Sequence, residues 1–513
     1  MGKEYLLGID MGTSSVKAGI FDTAGHIVAQ ADETYPLYTP KSGWAEQKPN
    51  EWWRAICGAS RALIAKSGIN PRDIIGMGVD TTCCTVMIAD EDMNILRPAI
   101  MWMDMRASRQ AKKITATGHE MLKNNGYGNV SAESMPAKAL WIKENEPALY
   151  AQANYVFECV DWLMYKLTGR LVASIDTAAP RWYYDRPTGG WPVSFYESFG
   201  LADVIEKFPK EVLDMGTNVG PLTETAAREL GLAPGIPVGE GGADAFVGML
   251  GLNVVRPGNI AMITGTSHLH LGLTDKEMHA KGMWGSYADA VIPGLGLVEG
   301  GQTSTGAIVN WFKTNFCGGL ETEAGSRGKS IYDILNEQAD KLPIGAEGLL
   351  ALDYFQGNRT PYADPDVRGL FYGLSLMHTP AHLYRAIVES ICFGTEAIME
   401  SFRAGGMKPD GIYVCGGAVK SRFWMQAHAD VCNLPLYIPR VTEAPCLGSA
   451  ILGAVAAGYY SDTATAAQNM VTIEDKVEPD AEKHGEYQFF YNKYKEAYQV
   501  SKSWMHDITT HIV

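Results

Sequence analysis

Two stretches of the chain share one hydrophobic pattern. Leu6, Leu7 and Ile9 form an apolar run ending on Asp10, and after Gly12-Thr13-Ser14 alternation resumes at Val16, Ala18 and Ile20. Apolar runs bounded by turn residues predict a buried strand, a tight turn and a second strand. Far downstream, Asn259–Thr264 leads into Gly265-Thr266-Ser267 and then into alternation through Leu269 and Leu271. The position matching Asp10 is Ile263, so a carboxylate stands in one copy only. A Gly-Thr-Ser turn gathers backbone N–H groups and hydroxyls into an anion cradle, and a carboxylate beside it can hold a hydrated cation. Two half-chains that each open on such a hairpin predict a duplicated domain gripping one polyphosphate from both sides, with Asp10 serving a metal. Ordinary hairpin turns are the bland alternative.

Elsewhere the pattern alternates between periods. Strands are predicted over 26–31, 74–80, 86–90, 349–355 and 411–418. Helices are predicted over 51–67 (capped by Asn50), 107–115, 245–252, 380–403, 423–432 and 445–458, with a helical stretch through 136–169 and a charged helical tail from Tyr487. Strands interleaved with helices predict an α/β fold. Val255-Arg-Pro-Gly258 punctuates the start of the second half, which divides the chain into 1–254 and 255–513. A length of 513 residues supports more than one core.

Charge narrows the partners. A net charge of −15 argues against nucleic acid or an anionic membrane, yet leaves room for a nucleotide held by local donors and Mg²⁺. No apolar run is long enough for a signal peptide or a membrane span. Nine cysteines, an odd number without CxxC repetition, read as free thiols in a reducing compartment, so a cytoplasmic protein is expected.

Candidate chemistry sits at predicted strand ends. Asp244 follows Gly241-Gly242-Ala243, a turn with almost no side-chain bulk. A carboxylate there can approach a hydroxyl and accept its proton, or simply cap the next helix. Gly416-Gly417-Ala418 with Ser421 can let an adenine ring lie on bare backbone, or be a tight strand–helix turn. Asp80, Trp102, Asp104, Arg181, Glu299 and Gln302 are the acids, amides and aromatic wall that a polyhydroxylated ligand needs, although each alone serves equally as a structural hydrogen bonder. Lys17 can neutralise phosphate. Cys83-Cys84 and His268/His270 lack the further ligands of a zinc site.

These residues together resemble the FGGY carbohydrate kinases over nearly the whole chain. The matching stretches are Gly8–Lys17, Gly43–Gln47 with Glu51–Trp53, Trp102–Arg106, Gly242–Asp244, Thr264–Ser267 and Glu299–Gln302, followed by Gly369–Leu374, His382–Glu389 and Gly416–Ala418. The resemblance implies two actin-like (ribonuclease H-like) domains with ATP and sugar in the cleft between them. It implies that Asp10 is the Mg²⁺ carboxylate, that Thr13, Ser14, Gly265 and Thr266 contact phosphate, and that Asp244 is the base. Gly416, Gly417 and Ser421 fall where adenosine is held. Val79–Thr85 and Glu299–Gln302 look more like ribulokinases, which tend to carry Lys where Arg181 stands. The expected activity is ATP-dependent phosphorylation of a primary hydroxyl of a small sugar, a ketopentose such as ribulose or xylulose, by a protein expected as a homodimer. A polyol or deoxy-ketohexose kinase and a non-catalytic actin-like nucleotide-binding protein are the alternatives.

Overall fold

The structure, a computed structural model, describes residues 3–512. Its first sheet contains β1 (Tyr5–Met11), β2 (Ser15–Asp22), β3 (Ile27–Thr34), β4 (Ile74–Thr81), β5 (Asn218–Pro221) and β6 (Pro237–Ala243), in the spatial order β5-β6-β4-β1-β2-β3. The second contains β7 (Asn259–Thr264), β8 (His268–Thr274), β9 (Trp284–Ala288), β10 (Gly296–Gln302), β11 (Gly411–Gly416), β12 (Leu436–Pro439) and β13 (Ile473–Val477), in the order β9-β10-β8-β7-β11-β12-β13.

The repeat seen in the hydrophobic pattern is a repeat of topology. β1 turns into β2 and lies parallel to β4; β7 turns into β8 and lies parallel to β11. In each turn the glycine N–H is bonded within the turn, Gly12 to Ser15 O and Gly265 to Ser267 O, both at 3.0 Å. Register then sets the chemistry at the strand ends. Asp10 stands opposite Asp80, and Thr264 stands opposite Gly416. The carboxyl ends of parallel strands are where α/β sheets bind ligands, because the chain leaves the sheet there and opens a crevice.

Helices bury the faces. α1 (Pro49–Ser67) covers the first sheet with Trp52, Ile56, Ala59 and Leu63. It starts a residue before the Asn50 cap predicted for it, with Lys48 as the capping position, because Pro49 suits the first helical turn. α2 (Ile175–Trp182) and α3 (Asp244–Gly251) lead to the cleft, and α4 (Pro380–Ala404) and α5 (Arg422–Cys432) pack in the core of the second half. Within α4, Arg385 Nε donates to Glu389 Oε1 at 2.8 Å, and the same carboxylate accepts from Gly345 N, so this acid of the signature stretch has a structural task.

The last part of the chain interlocks the two halves. α6 (Ala444–Ala456) lies in the second half of the sequence but packs against β1, β4 and β6 of the first sheet. Those strands present glycines, and a Cβ at Gly8 would stand 2.0 Å from Cys446 O, at Gly76 2.2 Å from Gly453 O, and at Gly78 2.1 Å from Ser449 O. Backbone thus meets backbone, with Ser449, Ala450 and Gly453 as the small residues on the helix. One apolar cluster then joins the sheets: Leu6 and Phe21 from the first, Leu271 and Leu273 from the second, and Phe246, Leu250, Leu447 and Ile451 of α3 and α6. Fully burying such a side chain contributes about 1.5–3 kcal/mol. α7 (Ala481–Ile512) closes the fold by placing Tyr487, Tyr491 and Tyr494 in the second core.

The helical reading of 136–169 needs correction. Tyr155–Glu158 is a strand that pairs with Val86–Ala89 and interrupts the helices. A four-residue segment does not carry enough periodicity to separate strand from helix, and the partner strand decides. Strand 349–355 shortens to Leu350–Leu352.

Candidate active site

A cavity of about 280 Å³ lies between the two sheets, and Thr13, Trp102, Arg181, Asp244, Ser267 and Glu299 are on its wall. Both Gly-Thr-Ser turns therefore reach one cavity, Thr13 from the first and Ser267 from the second. Thr13 is fixed by Trp102, whose Nε1 donates to Thr13 Oγ1 at 2.9 Å.

Asp244 is delivered by β6. Its glycines are required sterically, because a Cβ at Gly241 would stand 2.4 Å from Val79 O and one at Gly242 2.5 Å from Asp176 Oδ1. The N-cap of α3 is Ala243, so Asp244 is the first helical residue, and its Oδ1 accepts from Ala245 N at 2.7 Å. Burial pushes its carboxyl up to about 8, with Cys83 and Asp10 adding to the rise and the Ala245 N–H and Arg181 opposing it. A carboxyl whose pKa lies near neutrality suits proton transfer.

Arg181 of α2 and Glu299 of β10 form a bidentate pair at 2.6 and 3.0 Å. Arg181 Nε is buried without a hydrogen-bond partner. Trp284 and Phe246 flank the guanidinium at 5.9 and 5.2 Å from their ring centroids.

Beneath the first turn Asp10 sits beside Asp80. Burial raises both carboxyls, and Asp80 has one oxygen on Ser449 Oγ at 2.6 Å while Oδ1 is buried unpartnered. Among the described residues no group of three His, Cys, Asp or Glu side chains is arranged around a metal. Mg²⁺ ordinarily binds one or two carboxylates and takes its remaining ligands from water and phosphate, and a buried acid pair with an orphaned oxygen fits that donor set. Lys17 is paired with Glu443 at the start of α6.

On the second sheet Gly416 has φ 95°, and a Cβ there would stand 1.9 Å from Thr264 O. Gly417 is exposed with open space around it, and Ser421 caps α5 through Trp424 N at 3.2 Å while donating to Asn336. Gly265 and Thr266 are exposed in their turn, as is Ser14 in the first.

Three predicted sugar contacts, Asp80, Asp104 and Gln302, are not on the cavity wall. Asp104 is fully buried, accepting from Ala45 N at 2.5 Å and from Arg106 Nε and Nη2 at 2.8 Å, and Arg106 stacks on Trp44. Gln302 is buried too: its Nε2 donates to Asp353 Oδ2 and Ile391 O, and its Oε1 accepts from Thr395. Each has its hydrogen-bonding capacity taken up inside the protein. Asp80 is likewise off the wall, beside Asp10. Conversely, Cys83, Cys84, Asn125 and Arg359 line the cavity. Arg359 follows Gln356-Gly-Asn in a loop with no periodicity to mark it. Cys83 and Cys84 stand out in the sequence only by being adjacent.

Two sheets of repeated topology enclosing a cleft define a two-domain actin-like α/β protein. The chain matches the FGGY family of carbohydrate kinases, N-terminal domain, over residues 5–251 and the C-terminal domain of the same family over 260–457. It belongs to this family and is a carbohydrate kinase, a phosphotransferase. It is 34% identical to an FGGY carbohydrate kinase domain-containing protein of Xenopus laevis, covering 96% of this chain and 95% of that one. It is 33% identical to a ribulokinase of Geobacillus thermodenitrificans, covering 96% and 94%. The solved xylulose kinase from Rhodospirillum rubrum superposes with a TM-score of 0.86 at 26% identity, covering 98% of this chain and all of that one. Among the described residues no helix is long and apolar enough to cross a membrane.

Proposed function

We propose that the chain transfers the γ-phosphoryl group of ATP to a primary hydroxyl of a ketopentose, giving the sugar phosphate and ADP. The observation that carries this reading is that Asp244 shares one small cavity with a residue from each Gly-Thr-Ser turn. Trp102, Arg181 and Glu299 hold the sugar, the aromatic wall against its carbons and the charged pair on its hydroxyls. Asp244 accepts the proton of the attacking hydroxyl and orients it in line with the γ-phosphorus. Thr13, Ser14 and Thr266 donate to the phosphates from both sides, Gly265 lets the phosphate approach bare backbone, and Gly416, Gly417 and Ser421 seat the adenosine. Asp10 would hold Mg²⁺, which when bound neutralises phosphate charge. The ketopentose rests on the small cavity and on relatives named ribulokinase and xylulose kinase.

The test is a coupled ADP-release assay across pentuloses, hexuloses and polyols with MgATP. The highest kcat/KM is expected on a ketopentose. Preference for a polyol or a deoxy-ketohexose would replace the substrate, and no turnover on any of them would return the chain to nucleotide binding alone.

A further inference from the structure

Cys83 and Cys84 share the cavity wall with Asp244 and Arg181, on the turn that follows β4. This turn is rigidly held. Cys84 sits at φ 57°, a left-handed conformation uncommon for a residue with a side chain, and its carbonyl accepts from the buried Lys138 Nζ at 2.8 Å. Thr85 N, one residue on, donates to Glu158 Oε2 at 3.0 Å. The backbone so fixed holds both adjacent cysteines on the cavity wall, which they share with Arg181. Cys83 is partly exposed, whereas the other seven cysteines are buried and off the cavity wall.

We propose that Cys83 and Cys84 form a dithiol modification site that hydrogen peroxide oxidises to a vicinal disulfide within the cavity. The Cys84 hydrogen bond and the Arg181 charge draw the Cys83 thiol down to about 6, while Cys84 is pushed up and keeps its proton. Thiolate character and access decide which cysteine reacts first, so Cys83 is the nucleophile and Cys84 the resolving thiol. The Cys83 thiolate attacks one peroxide oxygen; the O–O bond breaks, hydroxide leaves and is protonated to water, and Cys83 becomes a sulfenic acid. Cys84 then attacks that sulfur, forming the S–S bond and releasing a second water. Two thiols lose two electrons, and the hydrogen peroxide gains them. A small-molecule dithiol reverses the step by thiol–disulfide exchange. Oxidation removes the anion facing Arg181 and moves both sulfurs in the wall, so the cavity no longer accepts its sugar.

Treatment with hydrogen peroxide, iodoacetamide alkylation and peptide mass spectrometry test this. The expected result is a peptide spanning Cys83–Cys84 that has lost two hydrogens, escapes alkylation and becomes alkylatable again after dithiothreitol. In Cys84→Ser the reaction is expected to stop at a Cys83 sulfenic acid trapped by dimedone. A pair that stays fully alkylatable in wild-type protein, or that passes to sulfinic acid without a disulfide, overturns the proposal. Turnover is expected to fall about tenfold or more and to recover with dithiothreitol. That loss rests on the cavity being the sugar site, whereas the mass readout does not. Reversible oxidation with turnover unchanged would keep the dithiol and remove the sugar from this cavity.

Discussion

Arg181 donates through both Nη atoms to the two carboxylate oxygens of Glu299, at 2.6 and 3.0 Å, and so ties α2 of the first half to β10 of the second across the cavity. A planar fork matches a carboxylate in two places, whereas an ammonium is a point charge. Arg181→Lys is therefore expected to keep the charge, lose one arm of the pair and raise the KM for the sugar about tenfold, with ADP affinity unchanged. Sugar saturation kinetics and nucleotide calorimetry check this, and an unaltered sugar KM would place the pair outside recognition.

Asp244→Asn is expected to lower kcat by about 10²–10⁴-fold, the usual contribution of a general base. Nucleotide binding should persist, because the phosphate turns and the Gly416 backbone are untouched. Turnover within tenfold of wild type would remove Asp244 from the chemistry.

The same residue predicts a pH profile. Its carboxyl, raised to about 8, is protonated at pH 6 and ionised at pH 9, and only the ionised form accepts a proton. The kcat/KM is expected to climb through this range and level off above it. A flat profile from pH 6 to 9 would contradict the assignment.

Some of this was legible in the residues and some was not, for physical reasons. The two hairpins around Gly12-Thr13-Ser14 and Gly265-Thr266-Ser267 were legible because a strand–turn–strand pattern is written in local sequence alone. Asp104 and Gln302 misled because an acid or amide near a strand end has two possible destinations, a ligand or a buried partner. Only the long-range neighbours Ala45, Asp353 and Thr395 decide between them. Arg359 and α6 were hidden for the same reason. Nothing local says that a loop arginine reaches the cleft, or that a helix late in the chain lies on glycines near its beginning.

That glycine face gives a stability prediction. Gly78→Ala places a Cβ 2.1 Å from Ser449 O, backbone that cannot move without shifting α6. Overpacking a core costs about 1–3 kcal/mol, and the upper end is expected here. Urea unfolding should show the midpoint lowered. A variant as stable as wild type would mean that α6 lies less tightly on the sheet.

His268, His270 and His428 are fully buried, with ring centroids of His268 5.8 Å from His428 and 6.3 Å from His270. Both ring nitrogens of His268 and His270, and Nε2 of His428, have no partner. Burial holds all three rings neutral, His270 down at about 3 and His428 at about 4, with His268 also well below the usual range. In the unfolded chain the same rings bind protons near pH 6.5. The unfolded state thus holds more protons once the pH drops below that value, so this contribution to stability is complete above pH 6.5 and is lost as pH falls toward 4. Each histidine adds a slope of up to about 1.4 kcal/mol per pH unit. Urea titrations at pH 7, 6 and 5 should show stability falling steeply, and His270→Leu should make the decline shallower by about one proton's worth. An unchanged slope in that variant would mean that His270 is protonated within the folded core.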